Sequence, residues 1–370
     1  MWYAIIGSLV AAFSAGIIYI SFRSANFGFV KKIAGGRRWL ARLICLGAFA
    51  LIALALALLW NVMNALVCFV HLVLIWLICD IAVLVISKIR GKKRTGYLAG
   101  AFAVLICTAY LTYGWICAHH VRQTDYTFTT SEIKDNIRIV QITDSHIGAT
   151  FDAAGFSEYI EEINALSPDV VVVTGDFVDD NTSRDDMLGG CEALGRLNTK
   201  YGVLFVYGNH DRGYYKESEK GWTNFELRQN LEANGVILLE DKAYDVGDSV
   251  CIIGRKDRYD DMRGSPRKSA AELMAETDKS KYVIMLDHQP HDFDAEAEAG
   301  ADLVLCGHTH GGQFIPINHV GEWMGENCLR YGHEKRLDTD FIVSSGISNW
   351  TFKFKTGCFS EYVVIDITGK

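Results

Sequence analysis

The sequence predicts a chain of two unlike parts: an all-α region of four membrane-spanning helices over residues 1–118 and an α/β domain over 137–370, joined by a polar linker at 119–136. Three observations carry this prediction. Apolar segments of span length fill the first third of the chain. Short β-branched runs alternate with helix-like stretches in the remainder. Asp, His and Asn residues stand directly behind several of those runs.

Residues 2–22, 39–60, 65–86 and 96–118 are almost wholly apolar, and a helix of about 20 such residues crosses the hydrocarbon core of a bilayer. A cleaved signal peptide is the rival reading of the first segment, but no Lys or Arg precedes it and another span follows closely. Arg23, Lys31, Lys32, Arg37 and Arg38 fall between the first two segments, and Lys88, Arg90, Lys92, Lys93 and Arg94 between the last two, whereas the turn from Asn61 to Asn64 carries no basic residue. Short basic loops stay cytoplasmic. The expected protein is therefore a multi-pass protein of the cytoplasmic membrane with its C-terminal domain on the extracytoplasmic face; one span miscounted would reverse that. His71 and Asp80 in the third span are costly in a bilayer, and read either as functional groups or as groups paired within the bundle.

Beyond the linker, Ile137 to Ile142, Val170 to Thr174, Val203 to Tyr207, Tyr282 to Leu286 and Leu303 to Cys306 are the apolar runs of buried strands. Helix-like stretches cover 155–166, 187–199, 223–233 and 269–276. Such alternation puts helices on the outer faces of the sheet structure.

Five polar clusters follow these runs: Asp144-Ser145-His146, Gly175-Asp176, Gly208-Asn209-His210-Asp211, His288, and Gly307-His308-Thr309-His310-Gly311-Gly312. Taken singly each has an ordinary explanation. A histidine behind a strand is commonly a satisfied core or surface residue, an aspartate there a helix N-cap, and Gly-Asn a turn. Side chains behind neighbouring parallel strands, however, converge at one sheet edge. Carboxylate, imidazole and amide oxygen without thiolate is a donor set for manganese, iron, zinc or magnesium.

The order D-x-H, G-D, G-N-H-D/E, H and G-H-x-H resembles that of the calcineurin-like metallophosphoesterases, over roughly residues 130 to 368 as judged from the strand pattern. The run Gly307 to Gln313 is similar to the membrane-associated branch that includes the bacterial YkuE and YaeI phosphoesterases. This resemblance implies two mixed β-sheets packed face to face and flanked by helices, with a site for two divalent metal ions at one end. On it, Asp144, His146 and His310 hold the first metal, Asp176 bridges, and Asn209, His288 and His308 complete the second. His210 is the implied catalytic histidine, stabilising transition-state charge and protonating the leaving alkoxide, with Asp179 as its orienting partner and Asp211 as the fallback. Such a pair of metals activates water to the attacking hydroxide and clamps both oxygens of an in-line displacement.

Departures from relatives narrow the substrate. Phosphoprotein phosphatases of the superfamily read G-D-x-V-D-R-G and G-N-H-E, whereas here Asp180 stands in place of the arginine and Asp211 in place of the glutamate. The added negative charge disfavours a phosphomonoester dianion and favours a phosphodiester or pyrophosphate-type bond. Arg212, Arg255 and Lys256 are the basic residues available to replace the arginine in space.

The net charge of −8 argues against a nucleic-acid groove. None of the ten cysteines has C-x-x-C spacing; Cys328 and Cys358 lie in loop-like sequence and would be free to pair in an oxidising compartment. Trp222, Phe225, Trp323, Trp350, Phe352 and Phe354, the last two interleaved with Lys353 and Lys355, form either a rim resting on membrane lipids and admitting a lipid head group or ordinary core, Phe352 and Phe354 sharing one strand face. The expectation is a membrane-anchored dimetal phosphoesterase acting on a phosphodiester or pyrophosphate-type bond of a lipid-linked substrate. The alternatives are a non-hydrolytic membrane sensor or scaffold that keeps the metals, a phosphomonoesterase, or a nuclease; the intact ligand set and histidine favour the enzyme.

Overall fold

The structure is a computed structural model and describes residues 2–91, 97–214 and 220–370, the side chains of 2–10 excepted. Two compact units divide the chain, Met1–Gly114 and Trp115–Lys370.

The first unit contains helices α1 (Trp2–Ser24), α2 (Gly28–Ile33), α3 (Arg38–Leu59), α4 (Val62–Ile89) and most of α5 (Ala99–His119). Helices α3, α4 and α5 are long and apolar enough to cross a membrane. The first expected span coincides with α1, but its side chains at 2–10 lie outside the described residues, as do Lys92, Lys93 and Arg94 of the second basic loop and residue 96 at the expected start of the fourth span. Asp80 on α4 accepts from Tyr19 Oη at 2.6 Å and pairs with Arg23, one turn further along α1. His71 Nδ1 donates to Val67 O at 2.8 Å and its ring lies 5.5 Å from that of Tyr110. Both residues thus take the bundle-paired arrangement, which offsets the cost of burying them.

The second unit is built from two six-stranded mixed sheets. Strands β1 (Arg122–Thr130), β2 (Ile137–Ile142), β3 (Val170–Thr174), β4 (Val203–Val206), β5 (Val236–Leu238) and β12 (Glu361–Gly369) form the first, in the order β1-β12-β2-β3-β4-β5. Strands β6 (Lys242–Val246), β7 (Val250–Gly254), β8 (Tyr282–Leu286), β9 (Leu303–Cys306), β10 (Gly332–Arg336) and β11 (Thr339–Val343) form the second, in the order β10-β11-β9-β8-β7-β6. Runs β2 to β5 and β7 to β9 are parallel, while β12, β10 and β6 bring in antiparallel pairings.

The continuous apolar runs are explained by burial on both faces of each sheet. In β3, Val170 and Val172 meet Ile252, Ile284 and Leu305 between the sheets, whereas Val171 and Val173 face the outer layer of α6 (Ala153–Ala165), α7 (Arg184–Gly195) and the helix Asn224–Ala233. The helices Ala270–Ala275 and Phe293–Ala299 cover the other sheet over Val283, Met285 and Val304. Each such side chain contributes about 1.5 to 3 kcal/mol on leaving water.

Residues 122–130, expected within the linker, instead form β1, an edge strand parallel to β12 in which alternate residues are half-buried. The alternation of threonines with Tyr126 and Phe128 supplies a period of two, which their polarity masked. Phe352 and Phe354, expected on one strand face, sit in irregular chain. The topology brings β2, β3 and β4 side by side and β8 beside β9. All five end in the predicted polar clusters.

Candidate metal centre

Two groups of donors, all buried but the half-buried His308, face one another where the sheets meet: Asp144, His146 and His310, and Asp176, His288 and His308, the ligand atoms of each group lying within 4.8 Å of one another. Asp176 joins the two, its Oδ2 standing 3.1 Å from His288 Nε2 and 3.6 Å from His146 Nε2. His310 Nε2 lies 3.5 Å from Asp144 Oδ1.

The backbone is bent to make this convergence. Asp144, His146, Asp176, His308 and His310 all have positive φ, between 36° and 72°. That region is costly for residues with a Cβ and gathers at functional sites. The glycines of the motif are there for space: a Cβ on Gly208 would lie 2.3 Å from Asp176 Oδ1, and one on Gly307 2.4 Å from Asp144 Oδ2. Asp211 holds the turns in place, its Oδ2 accepting from the backbone N–H of Asp176 at 2.9 Å and Gly208 at 2.7 Å, and its Oδ1 from Phe177 at 2.8 Å and Val178 at 3.1 Å. His210 N in turn donates to Asp176 Oδ1 at 2.8 Å.

Two of the imidazoles are held through their far nitrogens, and that of His146 faces a carboxylate there. His288 Nδ1 donates to Thr174 O at 2.8 Å, His310 Nδ1 faces Ser348 O at 3.4 Å, and His146 Nδ1 stands 3.3 Å from Asp179 Oδ2. Each arrangement leaves Nε2 toward the centre, as in a ligand set oriented by a second layer. Asn209 is set the same way, Nδ2 donating to Tyr214 Oη at 2.8 Å. Buried atoms left without a hydrogen-bond partner include His146 Nε2, His288 Nε2, His308 Nδ1 and Asn209 Oδ1. Orphaned acceptors of this kind are costly unless something else satisfies them, and one oxygen and three imidazole nitrogens around two carboxylates are donors to a divalent cation. The residues present fit a two-metal site.

Burial, with His288 beside it, pushes His308 down to about 3, and burial with His146 and Lys355 holds His310 well below its usual range. Burial also lowers His210. All three are thus neutral at pH 7, the form in which imidazole ligates or accepts a proton. Burial opposes ionisation of Asp176, yet His288, His210 and His146 around it outweigh burial and hold its carboxyl well below the carboxylate range.

Asp179 and Asp211, the expected partners of His210, make other contacts in this structure. Asp179 faces His146 rather than His210, because Thr182 Oγ1 accepts from its N–H at 2.9 Å and its Oδ1 accepts from Asn181 N at 2.7 Å, a local turn that aims Oδ2 at His146. The fallback, Asp211, is occupied by four backbone amides. The His210 imidazole packs instead among aromatic rings, 5.0 Å from Tyr214 and 4.9 Å from Trp350. Neither ring was singled out for this role from sequence, and only the fold brings residues 210 and 350 together.

A cleft of about 740 Å³ opens over the centre, lined by Asp176, Asn209, His210, His308 and His310 and further out by Tyr214, Phe314, Ile317, Arg330, Trp350 and Phe352. Of the expected rim, Trp350 and Phe352 line this cleft and Trp323 and Phe225 are exposed, but Trp222, Phe354 and Lys355 are buried. Trp222 Nε1 donates to Thr182 O, and Lys355 Nζ donates to Ser345 O and Ser348 O, so both side chains find their polar partners inward. The three basic residues that sequence offered as substitutes for the missing arginine are engaged elsewhere: Arg212 with Glu240 and Asp260, Arg255 with Asp287, Asp292 and Glu296, Lys256 with Asp241. Cys328 and Cys358 are free thiols, donating to His291 O and His310 O.

The calcineurin-like phosphoesterase family model matches residues 137–312. A metallophosphoesterase of Aquifex aeolicus is 31% identical over 265 residues, covering 70% of this chain and 96% of that protein. The metallophosphoesterase YkuE of Bacillus subtilis is 27% identical over 238 residues, covering 60% of this chain and 79% of its own length. A transmembrane protein with metallophosphoesterase domain from Danio rerio is 29% identical over 254 residues, covering 63% of this chain and 56% of that protein. With its paired donor groups, two mixed sheets and three helices apolar enough to cross a membrane, the chain belongs to the calcineurin-like metallophosphoesterase family.

Proposed function

We propose that this protein is a membrane-anchored, metal-dependent phosphoesterase that cleaves a phosphodiester or pyrophosphate-type bond. The observation that carries the reading is the pair of largely buried donor groups joined at Asp176 beneath one open cleft. Asp144, His146 and His310 would hold one divalent ion and Asn209, His288 and His308 the other, with Asp176 between them. When bound, two such ions supply the Lewis acidity that activates water and polarises the phosphoryl group.

The chain's own residues supply the rest. His210, neutral and lining the cleft, is placed to stabilise charge on the phosphoryl oxygens and to pass a proton to the leaving oxygen. Tyr214 and Trp350 fix the plane of its ring. Asp180, on the cleft wall where phosphoprotein phosphatases carry arginine, adds negative charge and so favours a substrate poorer in charge at the scissile phosphorus than a monoester dianion.

The apolar wall of Phe314, Ile317, Trp350 and Phe352, together with Trp323 and Met324 at 75 and 71% exposure, supports a lipid-linked substrate drawn from membrane lipid. The basic loops around residues 31–38 and 88–94 support a cytoplasmic-membrane topology with the catalytic unit outside. The test is turnover by the full chain in detergent of a generic phosphodiester and its monoester counterpart, with manganese or chelator, beside His210→Ala. Metal-dependent diester cleavage lost in the variant is expected. Turnover of the monoester alone would reverse the substrate class, and two bound metals without turnover of either would favour the binding-only reading.

A further inference from the structure

Arg330 is the one Arg or Lys among the described residues that line the cleft. Its surroundings differ from those of the other arginines of this unit's interior. Arg212, Arg255, Arg267 and Arg336 each pair with carboxylates. The Arg330 guanidinium makes no ion pair with a carboxylate among the described residues: Nη1 donates to Gly311 O at 3.3 Å, and Nε lies 3.3 Å from His319 Nδ1. The acid on this side, Glu322, is engaged by His319 Nδ1 at 2.6 Å and by Arg330 N at 2.9 Å.

Its position is set by the loop that carries two candidate ligands. Arg330 O accepts from Thr309 Oγ1, and Gly311 O takes the guanidinium, so the contacts fall on the residues immediately before and after His310. On the other side Arg330 N donates to Glu322 Oε1 at 2.9 Å, and Glu322 Oε2 lies 2.6 Å from His319 Nδ1. The backbone and the Nη1 edge of the side chain are thus held, and the residue lines the cleft. Asn318, Asn327 and Gln313 line the same wall and are neutral. Asp180, at the position of the missing arginine, is itself engaged, its Oδ2 accepting from Tyr214 N at 2.8 Å with Lys220 Nζ 3.9 Å from Oδ1.

A single phosphodiester carries one negative charge, which the metal side of the cleft takes up. A guanidinium held on the wall of that cleft, and in no ion pair among the described residues, is suited to a second anionic group, because planar donors of this kind bind phosphate oxygens with geometric specificity. We infer that Arg330 is a specificity-determining residue that grips a second phosphate adjoining the scissile one, so that the preferred substrate is a pyrophosphate-type diester rather than an isolated phosphodiester. This rests on the phosphoesterase reading above. The group attached to the pyrophosphate lies along Phe314, Ile317, Trp350 and Phe352, and is either a nucleoside base or a lipid chain.

The experiment compares the wild-type full chain in detergent with Arg330→Gln and Arg330→Lys. Excess manganese keeps the site loaded, and metal content is measured for each. Calorimetric titration with inorganic pyrophosphate and with inorganic phosphate is the first readout. Arg330→Gln is expected to weaken pyrophosphate about 10- to 100-fold and phosphate less than about threefold, the scale of losing one charge-assisted contact, with the metal content unchanged and Arg330→Lys recovering part of the loss. Equal weakening of both anions, or a wild-type chain that shows no preference for pyrophosphate, overturns the inference. The second readout is KM against kcat on a dinucleoside pyrophosphate, a prenyl-linked pyrophosphate diester and bis(p-nitrophenyl) phosphate. A rise in KM confined to the pyrophosphates is expected, and the better of those two names the attached group. Absence of turnover on all three in the wild type sinks the phosphoesterase reading and leaves the calorimetric comparison to decide the role of Arg330.

Discussion

Asp179 Oδ2 stands 3.3 Å from Nδ1 of His146, not beside His210. The aspartate therefore faces a candidate metal donor. Burial opposes protonation of His146, but Asp179, Asp176 and Asp144 together outweigh it and raise its pKa. Asp179→Asn is predicted to weaken binding of a metal at the Asp144, His146 and His310 group about 10- to 100-fold, the usual effect of losing an outer-layer partner. Equilibrium dialysis with manganese reads this directly. Unchanged metal affinity, with a shift only in the pH profile assigned to His210, would restore the orienting role to His210.

Gly208 faces Asp176 so closely that a methyl group has no room, the nearest atoms being Oδ1 at 2.3 Å and the backbone N at 2.5 Å. Because one of these is backbone, the turn itself must shift. Gly208→Ala is expected to fold with the same far-ultraviolet dichroism, to be less stable by about 1 to 3 kcal/mol, and to bind fewer than two metals per chain. Full stoichiometry in the variant would show that the turn gives way without moving Asp176.

Much of this centre was legible because its residues sit behind strands whose apolar runs are unmistakable; Val170 to Thr174, Tyr282 to Leu286 and Leu303 to Cys306 are strands over those same residues. Ligand types and glycines are local signals, and the strand ends carry them to one place. What escaped was non-local or weakly patterned. Strand β1 was read as linker because its exposed edge needs few apolar residues. The contacts of His210 with Trp350, and of Arg330 with the loop around His310, join residues 140 and 19 positions apart and leave no periodic trace. The contacts of Asp179 and Asp211 are illegible for the same reason: a carboxylate near a histidine in sequence says nothing of which nitrogen or amide it reaches.

Asp302 precedes β9 and its Oδ2 accepts from Val283 N at 2.7 Å, tying together the strands that lead to His288 and His308. Burial raises its pKa from 3.8 to about 6. A carboxyl whose folded pKa is raised gives stability that is fully present below the unfolded value and lost as pH rises through the folded one. The wild type should therefore lose stability between about pH 4 and 6, by about 1 kcal/mol once solvent screening of this part-exposed group is allowed for. Asp302→Asn keeps the acceptor oxygen and removes the titration. Its thermal midpoint should match the wild type at pH 4 and exceed it at pH 7; parallel midpoints across that window would contradict the assignment.

Arg255 is almost wholly buried with Asp287 and Glu296, and Arg267 and Asp292 extend the network. Asp287 immediately precedes His288, so the network underpins that candidate ligand without lining the cleft. Removing one partner of a buried pair leaves a charge uncompensated, at a cost of about 3 to 5 kcal/mol. Arg255→Met is predicted to lower the thermal midpoint strongly while KM for a diester, measured well below that midpoint, changes less than about threefold. A large rise in KM at preserved stability would instead place Arg255 in substrate binding.

Asp211 supplies the last and most demanding case, because one carboxylate accepts from four backbone amides drawn from two strand ends. Burial and the neighbouring Asp176 push its pKa up to about 7, while those amides pull it down. The charge is costly in this position, and what it provides is the joint between the turn at Asp176 and the turn at Gly208. Asp211→Asn has nearly the same shape but one oxygen instead of two, so at least one pair of amides must face an NH₂ group. Each unmet buried amide costs about 1 to 3 kcal/mol. The variant should therefore be less stable than wild type by several such increments and should hold metal weakly even where it is folded, because Asp176 and Asn209 lose their common anchor. Thermal melts with and without manganese separate the two effects. If the variant melts lower but gains as much from manganese as the wild type does, Asp211 supports the fold alone and the metal centre is positioned by something else.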